Sequence, residues 1–160
     1  MGDTPALLRN TFCTQPFMAG KPKIYKALIM NDYDGAPYAE WIKQGEKTIE
    51  TRTRTFHYRG DLVICCGKTN SVGKNRGRAL CLVELWKARP MKKGDEAAAG
   101  VRYQPGIYSF LFRNWRHFSY DFEFSSQRVS GAWQSFFNIT LPPDVRLIPR
   151  PDIKPFDEKE

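Results

Sequence analysis

The run FSYDFEF, residues 118–124, constrains the fold more than any other stretch of the chain. On an extended backbone Phe118, Tyr120, Phe122 and Phe124 fall on one face, and Ser119, Asp121 and Glu123 on the other. A strand this aromatic needs a covering layer, and left at an open edge it would template aggregation. Similar segments recur along the chain: KIYKALIM (23–30), KTIETRTRTF (47–56), a buried strand at 62–66, and RALCLVELWKARP (78–90), expected to be the longest. GIYSFLF (106–112) and QSFFNITL (134–141) complete the set. Six or seven strands separated by turns predict a small β-barrel, which removes exposed edges.

Two short helices interrupt this pattern. APYAEWIKQG places Pro37 at the first helical turn and Gly45 at a left-handed stop. Within it Tyr38, Trp41 and Ile42 share one face. KKGDEAAAGV offers a second helix, with Asp95 as its cap and Gly100 as its stop. The fold class expected is therefore mixed α/β, mainly β. An irregular arm is expected over 1–22, one domain over 23–141, and an extended tail over 142–160, where five prolines from Pro142 onward oppose regular structure.

A chain of 160 residues has the interior of a single domain. No apolar run approaches the ~20 residues of a membrane span, and the N-terminus lacks a secretory pattern, so the cytoplasm is the expected compartment. Cys13, Cys65, Cys66 and Cys81 show no metal-ligand spacing, and Cys65 and Cys66, as strand neighbours, point to opposite faces. Buried free thiols are expected, with no metal and no cofactor. Twenty-five basic residues against seventeen acidic ones leave a net charge of +8. That balance suits a polyanionic partner, or simply a solvated basic surface.

The charges gather at one junction. In GEKTIETR (45–52) the first helix stops and a strand begins, so Glu50, Arg52 and Arg54 share a face with Thr48, while Lys47 at the turn can lean toward them. Lysine, carboxylate and arginine together can grip a phosphate and hydrogen-bond a base edge. They can equally be a structural ion pair at a strand end. Tyr38 and Trp41 precede the motif, and RNWRHF (113–118) interleaves Arg113, Trp115 and Arg116, a mixture suited to stacking on unpaired bases. Core positions are the alternative for the tryptophans, including Trp86 and Trp133. GKTNSVGKNRGR (67–78) lacks P-loop order and reads as a flexible basic hairpin tip.

Gly45-x-Lys47-x-x-Glu50-x-Arg52 resembles the GxKxxExR motif of ASCH domains, within the PUA-like superfamily, and the surrounding order of segments from about Lys23 to Leu141 is similar as well. The resemblance implies a compact β-barrel with flanking helices and a motif-lined cleft that recognises RNA or a modified nucleoside, with DNA a further candidate. Its binding residues would be Lys47, Glu50, Arg52, Arg54, Tyr38, Arg113, Trp115 and Arg116. Some small family members resemble amidohydrolases acting on N4-acetylcytidine through a lysine, a threonine and a glutamate, and others have been described as ribonucleases. The alternative function is therefore a small hydrolase using Lys47 and Glu50. Here the threonine position carries Glu50, and Thr48 and Thr51 are out of register, which weakens that reading. Glu96 is a second carboxylate, of a kind that routinely caps short helices. A protein-interaction accessory is the third reading. Oligomeric state is not legible from the sequence.

Overall fold

A computed structural model describes residue 2, residues 21–124 and residues 136–159. The arm expected over 1–22 therefore lies almost wholly outside the described residues, as do Cys13 and Trp133. The elements run β1 (Ile24–Met30), β2 (Asp32–Tyr33), β3 (Ala36–Pro37), α1 (Tyr38–Gln44), β4 (Ile49–Arg52), β5 (Gly60–Cys66) and β6 (Arg78–Pro90). A single 3-10 turn then leads into α2 (Glu96–Ala99), followed by β7 (Tyr108–Glu123), β8 (Phe137–Thr140) and β9 (Leu147–Pro149). The main sheet has the order β4-β7-β6-β5-β1-β8 and curls into a half-barrel, in keeping with the small mainly-β barrel and two short helices expected. β1 and β5 are parallel, and the other pairs in the sheet are antiparallel.

Both faces of the central strands are buried, which explains why β1 and β5 read as continuous apolar runs. Leu28, Leu62, Ile64 and Cys66 enter one cluster with Phe110, Phe112 and Ile42 of α1. Their neighbours Ala27, Ile29, Val63 and Cys65 enter a second with Phe118, Phe122 and Ile139. Cys65 and Cys66 thus face opposite ways, and with Cys81 they are buried free thiols. Both glycine stops have the expected left-handed backbone, Gly45 at φ 81° and Gly100 at φ 70°.

Three expectations are corrected. The segments 106–112 and 118–124 are not separate strands but parts of β7, which at 16 residues exceeds the 13 of β6. Asn114 absorbs the irregularity between them at φ 57°, a conformation asparagine tolerates better than most side chains, beside register shifts against β6. The loop 67–77 is no free hairpin tip. Asn75 is buried and donates to Asp32 (2.9 Å) and Glu40 (2.7 Å), and the Asp32 N–H donates to the Ser71 hydroxyl (3.1 Å).

The third correction is the tail. β9 pairs with β7 at Arg116–Phe118, along the same edge that β4 occupies at Tyr108–Leu111. Pro149 is tolerated because β9 is an edge strand. Beyond it Arg150 donates to His117 Nδ1 (3.1 Å), while His117 Nε2 donates to the Lys43 carbonyl (2.7 Å), partners that fit a neutral imidazole. Ile153 then covers Gly45, Phe156 joins Ile49 and Leu111, and Glu158 forks onto Arg89 at 2.8 Å through both oxygens.

Candidate nucleic-acid site

The turn after α1 sets the geometry of the motif. Gly45 donates to the Ile42 carbonyl (3.0 Å), and Glu46 and Lys47 both donate to that of Trp41 (2.9 and 3.0 Å). The chain reverses, Thr48 donates to the Ala98 carbonyl (3.0 Å), and β4 begins. Ile49 enters a small cluster with Met91, Ala99 and Leu111. Glu50, one residue on, lines a cleft of about 350 Å³.

That cleft lies between β4 and the end of β1. Its lining includes Ile29, Asn31, Tyr33, Tyr38 and the run Glu50–Arg54. β4 and β1 are four strands apart in the sheet, yet Arg52 Nη2 donates to the Ile29 carbonyl at 2.8 Å. Sheet curl therefore creates the cleft, and Arg52 spans its mouth. Glu50 is only 8% exposed, and its Oε1 accepts from the Thr51 N–H at 2.7 Å. Arg54 is exposed at the rim.

Lys47 sits deeper. It is 2% exposed, donates to the Ala99 carbonyl and lies 5.3 Å from the centre of the Tyr38 ring. Burial pushes its pKa down and the Arg52 charge adds to this, while Glu50 opposes it. Lys47 does not itself line the cleft, but its packing partner Tyr38 does.

Five of the residues singled out in the sequence are thus brought together: Tyr38, Lys47, Glu50, Arg52 and Arg54. The RNWRHF residues are not among those lining the cleft. Trp115 is 1% exposed and donates to the Ile42 carbonyl at 2.7 Å, so it is a core residue and cannot stack on a base. Arg113 pairs with Glu84 and lies over Trp86, and Arg116 pairs with Asp61 at 2.7 Å. Glu96 accepts from the Tyr103 N–H at 3.2 Å.

Asn31 and Tyr33 line the cleft but do not stand out in the sequence, where NDYDG reads only as a turn. An aromatic inside a polar turn was the available signal. Tyr33 packs edge-on against Tyr38 (6.1 Å between rings), and its hydroxyl accepts from Asn31 Nδ2 (3.1 Å).

Residues 35–128 match the ASCH domain, more than half of the chain. The chain belongs to the ASCH domain family. All four motif positions lie inside the matched stretch, and β8 and β9 lie beyond it. A search of curated proteins gave no match. In this ASCH domain the strands that lie past the match extend the sheet, β8 along β1 and β9 along β7.

Proposed function

We propose that this ASCH domain recognises RNA, or a modified nucleoside within it, in the cleft between β4 and β1. One observation carries the reading: a mostly buried carboxylate, Glu50, and a guanidinium, Arg52, line one cleft together with Tyr33 and Tyr38. A carboxylate accepts from base amino and imino groups, a guanidinium donates to base or phosphate oxygens, and tyrosine faces stack. Arg54 at the rim supplies a charge for the backbone. The family assignment and the +8 net charge support the same class of partner.

The test is titration of the protein with nucleosides, modified nucleosides and short single-stranded RNAs. Glu50→Gln and Arg52→Lys are expected to weaken binding about tenfold or more, the scale of a charge-assisted hydrogen bond. Unchanged affinity in both variants, with melting temperatures at the wild-type value, would remove the cleft from the reading.

Hydrolysis is the second reading, favoured by the lowered pKa of Lys47, which moves that amine toward a general base. Against it, Glu50 stands where the nucleophilic hydroxyl is needed, and Lys47 lies outside the cleft lining.

A further inference from the structure

A second depression, of about 310 Å³, adjoins the cleft at Tyr33. It is formed where the turn 32–35 and the start of α1 meet the loop 72–75, and Tyr33 lines both this depression and the cleft. Two large apolar side chains of the described chain stand exposed at it, Tyr33 at 46% and Val72 at 52%. Gly35 and Gly73 also line it, and a Cβ on either would meet nothing within 4 Å, so the backbone there is open to close approach.

The polar groups are mostly acceptors. Asn75 is 3% exposed, and its Nδ2 is held by Asp32 and Glu40, while among the described residues no hydrogen bond engages its Oδ1. Asp34 is exposed, and Glu40 lies 3.9 Å from Lys74. Carboxylates and an amide oxygen reject a phosphate and suit a donor-bearing group. Among the described residues the cation lining it is Lys74, which is 82% exposed at its side chain and can reach a phosphate outside.

We propose that this depression is a second base subsite, taking the nucleotide next to the one in the cleft and preferring a base with an exocyclic amino group. Tyr33 is the shared platform, held in orientation by Tyr38 and Asn31, so a strand crossing it reaches both depressions without a gap. Val72 covers the second base, and Asp34 with Asn75 Oδ1 accepts from its amino group. Uracil, which carries carbonyl oxygens in place of the amino group, meets repulsion there. The inference rests on the cleft being a nucleotide site. It adds that the ligand is at least a dinucleotide.

The experiment compares nucleoside monophosphates with the dinucleotides they form, on wild type and on Asp34→Ala/Val72→Ala. Both substituted positions are exposed and outside the cleft. Wild type is expected to bind dinucleotides about five- to a hundredfold tighter than mononucleotides, the range of one stacked base, with those pairing any base with uridine at the second position weakest. In the double variant the dinucleotide advantage shrinks, while mononucleotide affinity stays at the wild-type value. Equal affinity for the two ligand lengths, or a parallel loss for both in the variant, overturns the second subsite and leaves the cleft reading standing. Absence of binding by either length overturns the cleft reading and the subsite with it. A thermal melt of the double variant at the wild-type midpoint separates these outcomes from unfolding.

Discussion

Lys47 carries the sharpest residue-scale question, because an ammonium 2% exposed has left water for one carbonyl, an aromatic face and a nearby carboxylate. Such groups seldom stabilise a fold against an apolar replacement of similar shape. Lys47→Met is therefore expected to melt within about 1 kcal/mol of wild type or above it, yet to bind ligand more weakly, because Tyr38 and Glu50 lose the group between them. Calorimetry and titration on the same preparation decide it. The pH dependence has a definite sign. A lysine whose folded pKa lies below its unfolded value holds fewer protons when folded, so it destabilises at low pH and is relieved as pH rises toward 10.5. The stability of wild type relative to Lys47→Met should rise over that window, and a difference independent of pH would show that the amine is not perturbed. Glu50 bears on chemistry. Wild type is expected not to release cytidine from N4-acetylcytidine, and Glu50→Thr is the variant in which to look for release by chromatography. Fast wild-type turnover, lost in Lys47→Ala, would make this domain an amidohydrolase.

At the scale of elements, the C-terminal segment acts as a strap across the motif. Ile153 packs on Gly45, and Glu158 holds Arg89, which in turn holds the buried carboxylate of Asp95 at 2.7 and 2.8 Å. Asp95 accepts from the Lys92 N–H and the Ser109 hydroxyl and fixes the turn into α2, whose carbonyls receive Thr48 and Lys47. A Cβ at Gly45 would lie 2.5 Å from Ile153 Cγ2 on a backbone at φ +81°. Gly45→Ala should therefore destabilise by about 1 kcal/mol or more, from left-handed strain plus the clash. Pairing it with Ile153→Ala should recover only the clash, and full additivity in that cycle would deny the contact. Acid should loosen the same strap. Arg89 holds the Glu158 carboxyl down to about 2. For Asp95, burial opposes ionisation but is outweighed by Arg89, Lys92 and Ser109, and its carboxyl also lies at about 2. Depressed carboxylates stabilise above their unfolded pKa values, so this contribution is lost as pH falls from about 4.5 toward 2. Glu158→Gln should flatten the acid limb of a stability profile. Removal of residues 147–160 would take away β9, Ile153, Phe156 and the fork together and should lower the melting temperature by several degrees or more.

For the whole molecule, what the sequence discloses divides by range. The strands, both helices and their glycine stops follow from short periodicities, so they can be read locally in stretches such as LVICC and YAEWIKQG. The fusion of two segments into β7 cannot, because one asparagine at φ 57° hides inside a charged run. Nor can the docking of β9, which depends on a free edge of β7 that only tertiary structure leaves open. In the site, the motif charges are legible by strand parity, whereas Tyr33 enters through the curl that brings β1 toward β4. Several cations are already committed within the fold: Lys43 to Asp121, Arg89 to Asp95 and Glu158, Arg116 to Asp61, Arg150 to Asp152. The excess of +8 therefore resides largely on other basic groups, and Arg54 is an exposed one at the cleft rim. If a bound single strand meets about five phosphates, the log–log slope of affinity against salt should be about −3 to −4. Arg54→Ala should make that slope shallower by about 0.7 and weaken all sequences alike, the mark of a phosphate contact. Arg116→Ala, which removes an engaged cation away from the cleft lining, should leave the slope where it was. A flat wild-type response would deny phosphate contacts altogether, and equal slopes for wild type and Arg54→Ala would move the strand's path off the rim of the cleft.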